Sequence, residues 1–290
     1  MTIDSERPFL PEALTPLFHV PIYTRLTPSQ RLRYNQLQGL YVNEQILFFE
    51  EALAEAVLGA LLRQPVPGGL EPSLRRFRED EAAHSIMFRE LNRACAPGLY
   101  ARDDHRFIRV PLGGWRVLRA IGRRPTWFPM LVWLMLIQEE LAIHHEREIV
   151  RHAAGLEPRF VATHTRHLRD EANHVRWDQE ILDWLWPRTP PAARRVNVRL
   201  FQLLVGEFFN TPRRGTVAVV RELATQCPEL EGRLPDMVGA LRGLAGSPGY
   251  HASLYSRQTV PQTFRRFDRW PEFAGLGRVL RAYAPAEPSR

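Results

Sequence analysis

From about residue 27 to residue 187, apolar side chains recur at three- and four-residue intervals, which predicts helices rather than strands. Thr27-Pro28 reads as a cap and first-turn pair opening a helix that runs to about Arg63. The stretch Gln64-Pro-Val-Pro-Gly-Gly69 reads as a loop, and Glu71-Pro72 opens a second helix that ends near Pro97. Residues 98–126, with Pro111, Gly113, Gly114 and Pro125, form a long connection with room for a short helix. A third helix is predicted over 128–154. A fourth begins near Glu157-Pro158 and stops before Pro187. Beyond it, frequent Pro and Gly predict shorter helices, including 192–209 and 214–226. No alternating strand pattern and no glycine-rich phosphate loop is visible. The expected organisation is a single structural domain: an N-terminal arm (1–26), a four-helix bundle (27–187) with its crossover at 98–126, and a C-terminal helical extension (188–290) packed on the bundle.

A comparison of the chain with itself shows a repeat. Asp80-Glu81-Ala82-Ala83-His84 recurs as Asp170-Glu171-Ala172-Asn173-His174, an offset of 90 residues, and Gly-Leu-Glu-Pro precedes each copy, at 69–72 and at 155–158. In each half the preceding apolar helix carries a Glu-Glu pair. Glu50 stands 31 residues before Glu81, and Glu140 stands 31 before Glu171. A Glu and a His at i and i+3 project from one helix face, so both can reach one metal ion. Two such helices, each with a partner helix giving one more Glu, make the dinuclear carboxylate site of a ferritin-like bundle, and imidazole in that shell suits iron. The predicted fold class is therefore all-α, a ferritin-like four-helix bundle with additional C-terminal helices.

Helical phase decides which Glu of the first pair points inward. At about 100° per residue, Ile46, Phe49, Leu53, Val57 and Leu61 cluster on one face with Glu50 in their midst. Glu44, Glu51 and Glu55 fall on the opposite side. A Glu centred on an apolar stripe is costly unless its charge is compensated, and two metal ions would do so. The third helix is apolar nearly all round, so phase does not separate Glu139 from Glu140. Glu140 is preferred because it preserves the offset of 90. His167 lies four residues before Glu171 and seven before His174 on the same face, which makes it a further ligand candidate. Its first-half counterpart is Phe77, so the symmetry breaks there. His144, His145 and His164 read instead as core or supporting histidines. Asp80 and Asp170, each just before a candidate Glu, could orient a histidine on a neighbouring helix, or could pair with an Arg such as Arg78 or Arg169.

Composition changes this picture little. All 39 basic residues are Arg, and with 32 acidic residues the net charge is +7. The Arg residues are scattered and often sit beside Asp or Glu, without an aromatic-interleaved basic stripe, so no nucleic-acid partner is expected. Cys95 and Cys227 are too few for a disulfide framework and lack ligand spacing. Residues 1–26 have no sustained apolar core of a signal peptide. The most apolar run, Trp127 to Ile137, contains Pro129 and is too short for a span of about 20 residues. A cytoplasmic protein without a membrane span is expected.

The pattern Glu, Glu-x-x-His, Glu, His-x-x-x-Glu-x-x-His, carried by residues 35–185, resembles the di-iron N-oxygenases typified by p-aminobenzoate N-oxygenase. The resemblance implies seven ligands, three histidines and four carboxylates: Glu50, Glu81, His84, Glu140, His167, Glu171 and His174. It implies two Fe ions as cofactor, O2 as cosubstrate, and a small-molecule amine oxidised to the hydroxylamine, nitroso or nitro level in a biosynthetic setting. No flavin, haem or nicotinamide motif is visible, so electrons must come from an external reductase or small redox carrier. Homodimerisation is implied by the resemblance alone. A C–H hydroxylase or desaturase of the same fold would share these ligands, except that His167 need not be among them. A ribonucleotide reductase radical subunit is disfavoured because Phe88, not Tyr, stands one turn after the first Glu-x-x-His. A non-catalytic iron-binding protein would lack the long C-terminal extension, whose Phe201, Phe208, Phe209, Tyr250 and Tyr255 are candidates to wall a substrate pocket.

Overall fold

A computed structural model describes residues 2–109, 112–206 and 214–284. Among these there are helices and turns and no strands. Thr27 caps α1 (Pro28–Phe48) by a reciprocal capping box, its hydroxyl accepting from Gln30 N while the Gln30 side chain accepts from Thr27 N. The predicted continuous helix is interrupted: Phe49–Ala54 is a π-helical segment, and α2 (Glu55–Leu61) completes the run. Glu50 lies in that widened turn, and such π segments are frequent at functional sites. The other bundle helices are α3 (Glu71–Cys95), α5 (Met130–Arg151) and α6 (Pro158–Leu185), and the crossover contains α4 (Leu112–Gly122). Pro111 lies outside the described residues.

The fold is the expected ferritin-like bundle, with α5 and α6 most extensively paired and α3 packed on α1 and α6. Among the described residues, nine further helices and short 3-10 pieces follow α6, among them α7 (Pro191–Leu204), α8 (Gly215–Gln226), α9 (Leu234–Gly243), α10 (Pro248–Leu254) and α11 (Pro261–Phe267). The helix expected over 192–209 is described only as far as residue 206.

Two apolar clusters flank the centre of the bundle. One joins α2, α5 and α6 to the C-terminal elements through Trp133, Trp186, Phe201, Phe267 and Phe273. Trp133 is fully buried against Trp186, Phe267 and Phe273, and truncating such an aromatic costs about 3–5 kcal/mol. The other joins the arm and α1 to α8 and α9. The arm is tied down by Asn35, whose Oδ1 accepts from Phe9 N and Leu10 N while its amide donates to Leu10 O. Gly39 lets the arm approach, because a Cβ there would stand 2.8 Å from Phe9 Cβ. Gly215 at the start of α8 does the same for the Tyr41 ring, which fills the position a Cβ would take. Between the clusters lies a layer of buried carboxylates and imidazoles.

Glu44 departs from the expected solvent-facing side. It is fully buried and accepts from Tyr100 OH and from the backbone N–H groups of Arg106, Phe107 and Ile108. The crossover folds over this face of α1, and its irregular backbone requires an acceptor that helix periodicity cannot foresee. Glu51 and Glu55 do lie on the outer side, paired with Arg89 and Arg78.

Candidate metal centre

The buried layer brings together Glu50 from the π segment, Glu81 and His84 from α3, Glu139 from α5, and His167, Glu171 and His174 from α6. These seven form three overlapping groups whose ligand atoms lie within 4.8 Å of one another: Glu50 with His84 and His167, Glu81 with His84 and His174, and Glu139 with Glu171 and His174. His167 Nε2 is 3.3 Å from Glu50 Oε1 and 3.1 Å from Glu171 Oε1. His174 Nδ1 is 3.1 Å from Glu81 Oε1 and 3.2 Å from Glu171 Oε1. His84 Nδ1 is 3.9 Å from both Glu50 and Glu171.

Six of the residues named from the sequence thus converge, and Glu140 does not. Its two carboxylate oxygens accept from Gln262 N (2.7 Å) and Thr263 N (2.8 Å) in the first turn of α11, away from the cluster. Glu139 takes the inward place. The offset of 90 survives between α3 and α6 but slips by one between the partner helices. The connections Leu62–Leu70 and His152–Glu157 are unequal in length, and α1 runs into a π segment that has no counterpart within α5. A count carried across unequal connections does not preserve phase.

The outer nitrogens of the histidines find carboxylates on other helices. Asp170 Oδ2 is 3.2 Å from His84 Nε2, so the predicted orienting role has its geometry. Asp80 Oδ2 is 3.7 Å from His174 Nε2, too long for a hydrogen bond, and Asp80 is also held by Arg76. Sequence reasoning missed Glu146, whose Oε1 accepts from His167 Nδ1 (2.5 Å) and His164 Nδ1 (3.2 Å). Glu146 lies seven residues after Glu139 on α5, and that spacing was the available signal. His164 is a supporting residue, its Nε2 3.1 Å from Asn43 Oδ1. Ser85 Oγ donates to Glu50 Oε2 (2.8 Å). Phe77, the counterpart of His167, stacks on His174 with ring centroids 4.3 Å apart.

The electrostatics are those of a site short of positive charge. Burial pushes Glu50 and Glu171 well above the usual carboxylate range, reinforced by the neighbouring charges of Glu81 and Glu139 respectively. Burial, with the charge of Glu139, pushes Glu81 up to about 7. Burial lowers His84 and His167 to about 3, which leaves their imidazoles neutral. Yet Glu50 Oε1, Glu81 Oε2, His84 Nδ1, both Glu171 oxygens and His174 Nδ1 are buried without a hydrogen-bond partner among the described residues. Buried polar atoms are normally paired, so unpaired donor atoms facing one another across about 3 Å fit a cation held among them. Four carboxylates match two divalent ions in charge, and the donor set of carboxylate and imidazole suits iron.

Beside the cluster lies a cavity of about 120 Å³, bounded by Glu50, Glu139 and His167 at one end and reached by Tyr255 and Leu254 from the C-terminal extension. Tyr250 lines an adjoining cavity, whereas Phe201 is packed in the core against Phe267 and Phe273. Phe208 and Phe209 lie outside the described residues.

A helical bundle with a buried carboxylate and histidine centre beside a cavity is a ferritin-like enzyme scaffold. The family described as p-aminobenzoate N-oxygenase AurF matches residues 1–226, and the chain belongs to that family. A relative from Streptomyces thioluteus, a 4-aminobenzoate N-oxygenase, is 24% identical over 262 residues, covering 84% of this chain and 72% of the relative.

Proposed function

We propose that the protein is a non-haem di-iron oxygenase that uses O2 to N-oxygenate an amine to the hydroxylamine, nitroso or nitro level. The observation that carries this reading is the direction of two of the histidines. His84 and His167 each turn one nitrogen to a carboxylate outside the cluster, Asp170 and Glu146, and the other nitrogen inward. Donation of the outer N–H fixes the tautomer, so the inward nitrogen presents a lone pair toward Glu50 and Glu171. Iron would be held by Glu50, Glu81, His84, Glu139, His167, Glu171 and His174. Bound there, it would supply the electrons and open coordination sites that O2 activation needs. The surrounding side chains do the rest. Phe77, Phe88 and Phe49 wall the layer from water. The cavity beside Glu50 and Glu139 would hold the amine nitrogen against the centre.

Family membership and the relative's activity support nitrogen as the atom attacked. External reducing equivalents, a cytoplasmic location and a homodimer are parts of the same reading. No helix among the described residues is long and apolar enough to cross a membrane. The test is a metal analysis of the purified protein, then anaerobic reduction and exposure to O2 with a panel of aryl and alkyl amines. Two irons per chain with a hydroxylamine, nitroso or nitro product is the expected result. Two irons with oxidation only at carbon would overturn the nitrogen assignment, and absence of iron in protein made with ample iron would overturn the centre.

A further inference from the structure

We infer that the substrate is an amine whose far end is uncharged and hydrogen-bonding, such as a carboxamide or hydroxyl, and not a carboxylate like that of 4-aminobenzoate. This rests on the cavity being the substrate site of the oxygenase proposed above. Its acidic members, Glu50, Glu139 and Glu146, are all at or beside the centre. Gln45 and His145 line the same cavity further from the centre, and Glu146, next to His145 on α5, turns its side chain back to His167. Gln45 precedes Glu50 by five residues on α1, and His145 follows Glu139 by six on α5. At 1.5 Å per residue both lie roughly 8 Å along the helix axes from the carboxylates, about the length of a para-substituted aniline. An amine placed against Glu50 and Glu139 therefore puts its far substituent beside Gln45 and His145.

Among the described residues that line this region, none carries a positive charge. The chain contains no Lys. No Arg lines this cavity among the described residues. The adjoining cavity of about 80 Å³, which shares Val42, Gln45, His145 and Leu254 and continues toward Ala13 and His19, has no Arg either. His145 is lowered to about 4 by burial, so at neutral pH it offers a neutral ring. What the far end does offer is polar and uncharged. The side chains of Gln45 and His145 make no hydrogen bond to the described residues. Gln138 donates to Tyr255 OH (2.9 Å), which leaves the phenol proton free to point into the cavity. Burial keeps that phenol protonated. A carboxylate buried here would have no counter-charge among the described lining residues, and would face the acidic side chains of Glu50, Glu139 and Glu146. A carboxamide can accept from Tyr255 or Gln45 and donate to His145 or Gln45.

The test is equilibrium binding by calorimetry to the iron-loaded protein at neutral pH. The ligands are two nearly isosteric pairs, 4-aminobenzamide with 4-aminobenzoate and 4-aminobenzyl alcohol with 4-aminobenzoate. Iron is counted on the same samples. The expected result is that the neutral member of each pair binds at least tenfold more tightly, and that Gln45→Arg moves the amide-to-carboxylate ratio at least tenfold toward the carboxylate. Equal or tighter binding of 4-aminobenzoate by the unmodified protein overturns the inference, and so does binding of none of these amines. Carboxylate preference with two irons present refutes the substrate class alone. Neutral preference in protein that holds no iron refutes the di-iron reading alone.

Discussion

Glu139 and Glu140 are adjacent, both buried and both acidic, yet they face different partners, and removing each should have different consequences. Glu140→Ala takes away the acceptor for two N–H groups at the start of α11, at 2.7 and 2.8 Å. Hydrogen bonds to a charged group contribute about 1.5–3 kcal/mol each. Burial raises the Glu140 carboxyl despite those two bonds, which argues for the lower end, a total of about 3 kcal/mol. Glu139→Ala removes a carboxylate that burial disfavours but that hydrogen bonds with Glu171 and His174, and the charge of His174, bring down to about 2. The metal-free form of this variant should therefore also lose some stability at neutral pH. Iron binding should separate the pair further. A ligand at a hundred times its Kd adds about 2.7 kcal/mol to stability. Urea unfolding with and without ferrous iron under anaerobic conditions, with iron counted per chain, reads both effects. Glu140→Ala should unfold at lower urea yet gain as much from iron as the parent, whereas Glu139→Ala should gain little and retain fewer than two irons. If Glu140→Ala loses iron while Glu139→Ala keeps two, the inward placement of Glu139 is wrong.

Glu44→Ala leaves Tyr100 OH and three backbone N–H groups without their acceptor, so a loss of about 3–5 kcal/mol is expected in the same unfolding assay. Glu51→Ala, which breaks only a partly exposed pair with Arg89, should cost less than about 1 kcal/mol and leave iron content unchanged; a loss of iron there would show that the helix phase is misread. Glu146→Leu removes the acceptor from His167 Nδ1, and metal affinity measured with Co(II) should fall about 10–100-fold, while unaltered affinity would remove Glu146 from any role in orienting His167. Because Glu81 is raised to about 7, its proton competes with the metal below that pH. Co(II) affinity should therefore weaken as pH falls from 8 to 6, with protons released on binding in weak buffer. A flat profile would mean that Glu81 is not a ligand.

The long helices were legible because their signals are local. Thr27-Pro28, Glu71-Pro72 and Glu157-Pro158 each stand at an observed helix start. The buried Glu50 was legible from phase, since a charge amid Phe49, Leu53 and Val57 needs a reason to be there. What periodicity could not supply came from elsewhere in the chain. Glu44 sits on the face that phase assigns to water, and only the crossover at residues 100–108 turns that face into an interior. The π segment was equally hidden, because it depends on how the helix meets its neighbours rather than on composition.

The slip from Glu140 to Glu139 shows where a repeat ceases to be a guide. Within one helix, the i to i+3 relation of Glu81 with His84 and Glu171 with His174 is fixed by 3.6 residues per turn, and both pairs reach the cluster. Between helices, register is set by connection length and packing, and the two halves differ in both. Phase should have broken the tie on α5, but that helix is buried on nearly every side: Leu131 to Ile137 are without exception in the core. A residue pattern that does not distinguish inside from outside cannot say which of two neighbouring carboxylates points inward. That choice was made by α11, from more than 120 residues further along the chain, whose first-turn N–H groups take up Glu140 and leave the inward place to Glu139.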